Sequence, residues 1–534
     1  MHALLSSFRA ALRVVDPAAA VRRAVKVKDG GAALDIAGEL VPMDGVRRIF
    51  VLGAGKAAPQ MVAGLAEQVS ACGKGVCGHI ITKHGHAAGV ALPDWCEVTE
   101  ASHPVPCEAG VAGTRRVLEL AESAGENDVV VAVVSGGGSA LLTAPSGRTA
   151  SDGSSVDLGA LRATTGRLLR CGASIDEVNA VRSVLDTVKG GGLARAVWPA
   201  RLVTLLVSDV VGDRVGVIAS GPTVLPGRTR PTASRSEPPT PEGTTAHREA
   251  GAAEPAVSAA LRVLRRRGLL TTRMEAAARG GRDGGGAAVS DWPDDWLPRC
   301  VVEAVMAAPR EQHGPGEPGA APAGPGPEYG SVHIVASNAA AVEAMLEALP
   351  GVTPVVLTSR AEGDAAELGR LLVRTARHKV EGGVGAPAGA APFVVMAAGE
   401  TTVTMAPDAE PGKGGRNQHM ALAASLELEA WAREDAASAA RCVFLAAGTD
   451  GTDGPTDAAG GMVSSTTAGA ARAAGRDPEA SLAAFDAYHA LAAAGTTRPG
   501  DDEPARAGGL LITGPTGTNV MDVYACLCEA EATG

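Results

Sequence analysis

Short apolar runs alternate along this chain with stretches whose apolar residues recur at helical spacing. The runs Ile49–Leu52, Val129–Val134, Leu202–Val207, Val332–Val335, Val355–Leu357, Phe393–Met396, Val443–Leu445 and Leu510–Ile512 predict strands. Most lead directly into loops rich in Gly, Ser, Asp and Thr. This alternation predicts an α/β protein with parallel strands. Ligands of such sheets bind at the carboxyl ends of strands, so the loops are the first clue to function. At the N-terminus Leu4, Leu5, Phe8, Leu12 and Val15 predict an amphipathic helix. The same Arg-bearing, acid-poor opening has some transit-peptide character, and the helix is the reading taken.

Three stretches break the pattern. Residues 225–255 are rich in Pro, Thr, Ser and Glu, and residues 276–330 in Gly, Ala and Pro. Both predict disordered or loosely packed insertions. Between them Ala259–Leu270 predicts a basic surface helix. The Gly/Ala/Pro tract 381–392 predicts an interdomain linker. No internal repeat is present.

With 534 residues the chain has room for two to four domains. Its net charge of −11 argues against a nucleic-acid binder, since such domains are usually basic. No apolar stretch reaches the roughly 18–20 residues of a spanning helix, which argues against a membrane protein. The nine cysteines are scattered without CxxC pairs and predict reduced thiols in a reducing compartment. Cys526 and Cys528, and the irregular set Cys77, His84, His86 and Cys96, are only weak metal signals.

The first strand runs into VLGAGKAA, where Gly53, Gly55 and Ala58 fit G-x-G-x-x-A. A dinucleotide site would place an acid about 20 residues on. Residues 68–93 hold no Asp or Glu, and the next strand ends at Thr82-Lys83. What remains is a Gly-rich turn offering backbone N–H groups and Lys56 to an anion, or simply a tight turn with a solvated Lys. SGGGSALL follows, where Ser135, Gly136, Gly137, Gly138 and Ser139 predict a phosphate or carboxylate site. Ser139 lacks the setting of a hydrolase nucleophile. Asn179, Arg182 and Lys189 form either an anion-binding rim or a solvated helix face. Asp209 and Asp213 stand at a strand end, where carboxylates can hold Mg²⁺ or accept a proton. SHPVP, at 102–106, reads as a rigid turn in which His103 can face a site.

Later loops add Glu400, Arg416, Asn417, Asp450, Asp453, Asp457 and Asn519. Acids, one Arg and Gly-rich donors make up the inventory of phosphoryl transfer.

VLGAGKAA, SHPVP, SGGGSALL, VNAVR with KGG, SDVVGD with IASGPT, GETTVT, GGRNQ, GTDGTDGPTDAAG and TGPTGTN follow one another in this order. The series resembles the glycerate kinases of the MOFRL class, over nearly the whole chain outside the insertions and linker. The resemblance implies two unlike α/β domains with the active site in the cleft between them. The first would be Rossmann-like with a parallel sheet, over 1–350, and the MOFRL domain would span 393–531. It implies ATP-dependent phosphorylation of D-glycerate with Mg²⁺. Lys56, Asp209 and Arg416 would be catalytic, the first and last neutralising phosphoryl and carboxylate charge. Asp209 would hold Mg²⁺ or act as base, with Asp450 and Asp457 as the next metal or base candidates. Gly53, Gly55, Ser135 to Ser139, Asn179, Arg182, Lys189, Glu400, Asn417 and Asn519 would bind substrate or phosphate. A cytoplasmic location is expected, with a homodimer left open.

The family's Glu after GGRNQ is His419 here, its Asp after HPVP is Cys107, and its VRKHLS segment is VRSVLD with Asp186. The expected product is 2-phosphoglycerate. A 3-phosphoglycerate-forming kinase, a non-catalytic metabolite binder and, less favoured, a hydroxypyruvate reductase are the alternatives.

Overall fold

The computed structural model describes residues 1–225, 256–272, 274–275, 278, 297–307, 329–382, 392–405, 410–498 and 508–530. The chain divides into two compact units. One comprises Val21–Leu206 with Arg214–Val335, and the other joins Met1–Ala20, Val207–Asp213 and Ala336–Gly534. This discontinuous division does not follow the sequence limits 1–350 and 393–531. Residues 226–255 of the predicted insertion and most of the linker 381–392 lie outside the described residues.

The first unit opens with a small antiparallel sheet of β1 (Val25–Lys28), β2 (Ala33–Ile36) and β3 (Glu39–Pro42). Its main sheet contains β4 (Arg48–Ala54), β5 (Gly75–Lys83), β6 (Cys96–Ala101), β7 (Asp128–Val134), β8 (Arg201–Val207) and β9 (Ser331–Ala336). They lie in the order β6-β5-β4-β7-β8-β9. Strands β4 to β8 are paired in parallel. Counted from β4, the order is 3-2-1-4-5-6, that of a doubly wound dinucleotide-type sheet, and it reverses between β4 and β7. β4 and β7 are buried almost throughout because both faces of the sheet are covered. Phe50, Leu52 and Ala54 pack with Val117 and Ala121 of the helix Glu108–Glu122. The helix Ala58–Ser70 packs on β4, β5 and β7.

A helical cluster completes this unit. Val257, Leu261 and Leu264 of the helix Ala256–Arg266 pack with Val178 and Val181 and with Val301, Val302 and Val305 of the helix Arg299–Ala307. The basic helix expected at 259–270 is therefore present, with its apolar face buried. The expectation of loose structure across all of 276–330 is corrected, because Arg299–Ala307 belongs to this core. The Gly/Pro-rich composition around it masked a short apolar helix.

The second unit holds β10 (Thr353–Ala361), β11 (Phe393–Gly399), β12 (Cys442–Gly448), β13 (Gly460–Ser464), β14 (Thr496–Thr497), β15 (Gly508–Leu511) and β16 (Asp522–Cys528). Their order is β10-β11-β16-β12-β13-β15-β14. Only β10–β11 and β14–β15 are parallel pairs. β16 enters between β11 and β12, antiparallel to both. The parallel strands expected from the sequence thus describe the first sheet and, in this one, those two pairs alone. The helix Arg416–Glu434 covers β12 and β13. The predicted N-terminal helix is His2–Val14, which buries Leu4, Leu5 and Phe8 and packs on the helix Asn338–Glu347.

The expectation that all cysteines are reduced is corrected. Cys442 and Cys528 are register partners on β12 and β16 and form a disulfide across a sequence separation of 86. Strand register brings them together, and no spacing motif announced it. The other seven cysteines are free thiols.

Candidate functional site

The two Gly-rich loops of the first unit meet at the reversal between β4 and β7. Gly53 and Gly55 have φ of 156° and 145°. A Cβ on Gly53 would lie 1.9 Å from the Val133 carbonyl oxygen, and one on Gly55 2.0 Å from Ser135 Oγ. Only glycine permits this approach. The loops are then tied together. The N–H of Lys56 donates to the Gly136 carbonyl at 2.9 Å, and that of Ala57 to Ser135 Oγ at 3.0 Å. Ser135 therefore positions the loops rather than facing outward. The N–H groups of Gly136 and Gly137 have no acceptor among the described residues. Such paired donors favour an anion. The expected helix start beyond them is a single turn, Gly138–Leu141, so a macrodipole adds little.

Basic side chains flank this turn. A Cβ on Gly137 would lie 3.3 Å from Lys56 Cγ and 3.1 Å from His103 Cδ2, so both side chains pack over that glycine. His86 Nδ1 lies 3.1 Å from the Lys56 carbonyl oxygen. Burial, and then the charges of Lys56, Lys83 and His86, push the His103 imidazole down to about 4. It is neutral at pH 7. Cys107 stands at the N-cap of the helix Glu108–Glu122 without a side-chain cap, and its Sγ accepts from the Ser102 N–H at 3.2 Å.

Other residues assigned to binding lie beneath the loops. Lys189 is 2% exposed. Its ammonium donates to the carbonyls of Ser139, at 2.8 Å, and Leu142, and lies 4.0 Å from buried Asp186. Burial lowers it to about 8, with Asp186 opposing. Lys189 thus secures the loop from within instead of offering its charge to a ligand. Ser139 Oγ lies 2.8 Å from Ser220 Oγ, which donates to Asn179 Oδ1 at 2.8 Å. The buried Asn179 Nδ2 has no partner among the described residues. Ser220 holds φ 63°, strained for a residue with a Cβ. Arg182 is half-buried, with its pKa lowered by burial against the pull of Asp186.

The second unit has its own pocket of about 750 Å³. Glu400, Arg416, Asp450 and Asn519 line it, as do Asp453, His419 and Phe485. Arg416 opens the helix Arg416–Glu434. Its Nε and Nη2 donate to the two carboxylate oxygens of Asp522 at 2.5 and 3.2 Å, and its Nη1 to Glu400 at 2.8 Å. Burial opposes its charge, yet the Asp522 contacts raise its pKa overall. Arg416 is thus matched by two carboxylates of its own unit. His419, in the family's Glu position, stacks on Phe485 at 5.6 Å. Burial lowers its pKa.

Asn417 contributes its backbone N–H and not its side chain. That group and the Gln418 N–H donate to Asp453 at 3.1 and 2.8 Å. Burial pushes Asp453 up to about 6. Its folded-state value lies above that of the unfolded chain, so protonation favours the fold. This contribution is full at low pH and lost as pH rises through about 6, a change of up to about 3 kcal/mol. Urea midpoints should therefore fall for the wild type relative to Asp453→Asn between pH 4.5 and 7, and parallel profiles would refute this.

Asp457 is exposed, accepts from Tyr488 Oη at 2.8 Å and does not line the pocket. Asp450 does, with one oxygen taken by the Thr452 N–H at 3.0 Å. Asp209 is half-buried in Val207–Asp213 of this unit and also lies outside the pocket lining. No group of three or more His, Cys, Asp or Glu among the described residues could hold a metal. That includes the set Cys77, His84, His86 and Cys96. Asp453 was one of three equivalent acids in its loop and Asp522 had no motif; no sequence signal separates them from their neighbours.

Residues 3–236 match a domain of unknown function (DUF4147), and residues 393–522 match the MOFRL family. The chain is 34% identical to a D-glycerate 2-kinase of Thermotoga maritima, over 91% of this chain and 92% of that one. It is also 34% identical to a putative hydroxypyruvate reductase of Agrobacterium vitis, over 90% of this chain and 87% of that one. The crystal structure of a glycerate kinase from Thermotoga maritima superposes with a TM-score of 0.69 at 29% identity, covering 99% of both chains.

Proposed function

Because the chain belongs to the glycerate kinases of the MOFRL class, we propose that it phosphorylates D-glycerate with ATP to give 2-phosphoglycerate. The observation that carries this reading is the turn between β4 and β7. There the unpartnered N–H groups of Gly136 and Gly137 stand with Lys56 at the sheet's reversal point. Fixed donors and a cation of this kind stabilise the charge of a transferring phosphoryl group.

The other residues follow by their chemistry. Asp450, an acid on a pocket wall, and Asp209 fit the one or two carboxylates that Mg²⁺ commonly takes beside substrate phosphates. Asp457, engaged by Tyr488, fits less well. When bound, Mg²⁺ would offset phosphate charge. Arg416 would orient substrate through its remaining valence and hold Glu400 and Asp522 in place. Asn519 and Thr402 add polar groups to the pocket wall. A cytoplasmic location belongs to the same proposal; among the described residues no helix is long and apolar enough to cross a membrane.

Reductase activity is the second reading, favoured by the name of the Agrobacterium relative. Against it, the second strand of the doubly wound sheet, β5, ends on Lys83 where an NAD site needs a ribose-binding acid. One assay separates the outcomes. ATP, D-glycerate and Mg²⁺ are coupled through enolase and pyruvate kinase, with and without phosphoglycerate mutase. A signal without mutase is expected. A signal only with mutase would mean 3-phosphoglycerate, and silence in both would sink the kinase reading.

A further inference from the structure

The kinase reading leaves open which group removes the proton of the attacking hydroxyl. In the first unit, His103 is placed for it. Its ring packs over Gly137, whose N–H is one of the unpartnered donors, and beside Lys56. Neither ring nitrogen has a hydrogen-bond partner among the described residues. The neighbouring His86 already has its Nδ1 against the Lys56 carbonyl. Lysine ammonium groups donate only and offer no lone pair to a proton. The loop bearing His103 is held at both ends: the Ser102 N–H donates to Cys107 Sγ, and the Pro106 carbonyl accepts from Arg162 Nε at 2.7 Å. The half-buried imidazole thus stands on a fixed loop beside the anion cradle with both nitrogens open to a ligand.

We propose that His103 is a further catalytic residue of this reaction, its imidazole accepting the proton of the substrate hydroxyl that attacks the phosphoryl group. The inference rests on the kinase reading. As the hydroxyl oxygen forms its bond to the γ-phosphorus, the bond from that phosphorus to the leaving nucleoside diphosphate breaks and its electron pair stays with the diphosphate. The hydroxyl proton passes to the imidazole and later to solvent. Burial, and then the charges of Lys56, Lys83 and His86, keep the ring unprotonated before substrate arrives. A weak base suffices, because the hydroxyl loses its proton late in a loose transition state.

His103→Ala and His103→Gln should lower kcat by about 10²-fold while the KM for glycerate and ATP changes less than about threefold. Added imidazole should restore at least about tenfold of the lost rate in His103→Ala, a response that a purely structural role would not give. Thermal midpoints of both variants should stay close to the wild type. A kcat retained within about threefold, or a loss confined to KM and deaf to imidazole, overturns the role of His103 and leaves the kinase reading standing. A wild type that fails to phosphorylate glycerate overturns both.

Discussion

Lys56→Ala should lower kcat/KM by about 10²–10³-fold, the usual cost of one fixed group that stabilises developing charge. The side chain is half-buried and its ammonium has no hydrogen-bond partner among the described residues. The loop itself is held by the Lys56 backbone N–H on Gly136, which the substitution keeps. Stability should therefore change by no more than about 0.5 kcal/mol. Steady-state kinetics with urea unfolding tests both parts. An active variant would show that the cradle works through its backbone N–H groups alone; an unfolded one would show that the side chain is structural.

The second large effect is expected at Asp522. It is 2% exposed, binds Arg416 through both oxygens and accepts from Tyr524 Oη at 3.2 Å. Asp522→Ala removes all of these partners at once and leaves Arg416 with exposed Glu400. Breaking a buried pair costs about 3–5 kcal/mol, and the one-third exposure of Arg416 reduces that to about 2–3 kcal/mol. Turnover should fall at least about 10²-fold, because Arg416 loses its fixed orientation. Glu400→Gln should cost less than about 1 kcal/mol, since its ion pair faces solvent. Equal losses in the two variants, by urea midpoint and kcat, would contradict the assignment of Asp522 as the anchor.

Much of the first unit was legible because its strands are continuous apolar runs. The runs at 49–52, 129–134 and 202–207 lie within β4, β7 and β8. The second unit was less so. β13 is Gly-rich and only five residues long, and β16, DVYACLC, was not among the predicted strands. β16 nevertheless became a central strand, and its insertion turned the sheet largely antiparallel. Arg299–Ala307 was hidden for another reason: composition averaged over 276–330 outweighed nine helical residues.

The site shows the same limit. Gly53, Gly55 and Gly137 were visible as glycines at strand ends, because only that residue allows such close backbone approach. Lys189 looked like a ligand-binding cation, yet its ammonium donates its hydrogen bonds to the carbonyl oxygens of Ser139 and Leu142. Asp453 and Asp457 sit four residues apart in one loop and looked alike. One is buried under a helix start, while the other faces solvent against Tyr488.

Local pattern alone therefore determined the α/β class, the loops that carry chemistry and the candidate charges, since periodicity, glycine and charge are properties of neighbouring residues. Tertiary structure decided the partners. Cys442 meets Cys528 because two strands share a register, and Arg416 meets Asp522 because β16 crosses the sheet beside the start of its helix. Those contacts join residues 86 and 106 positions apart, and chain closure over such distances is settled by packing rather than by sequence spacing.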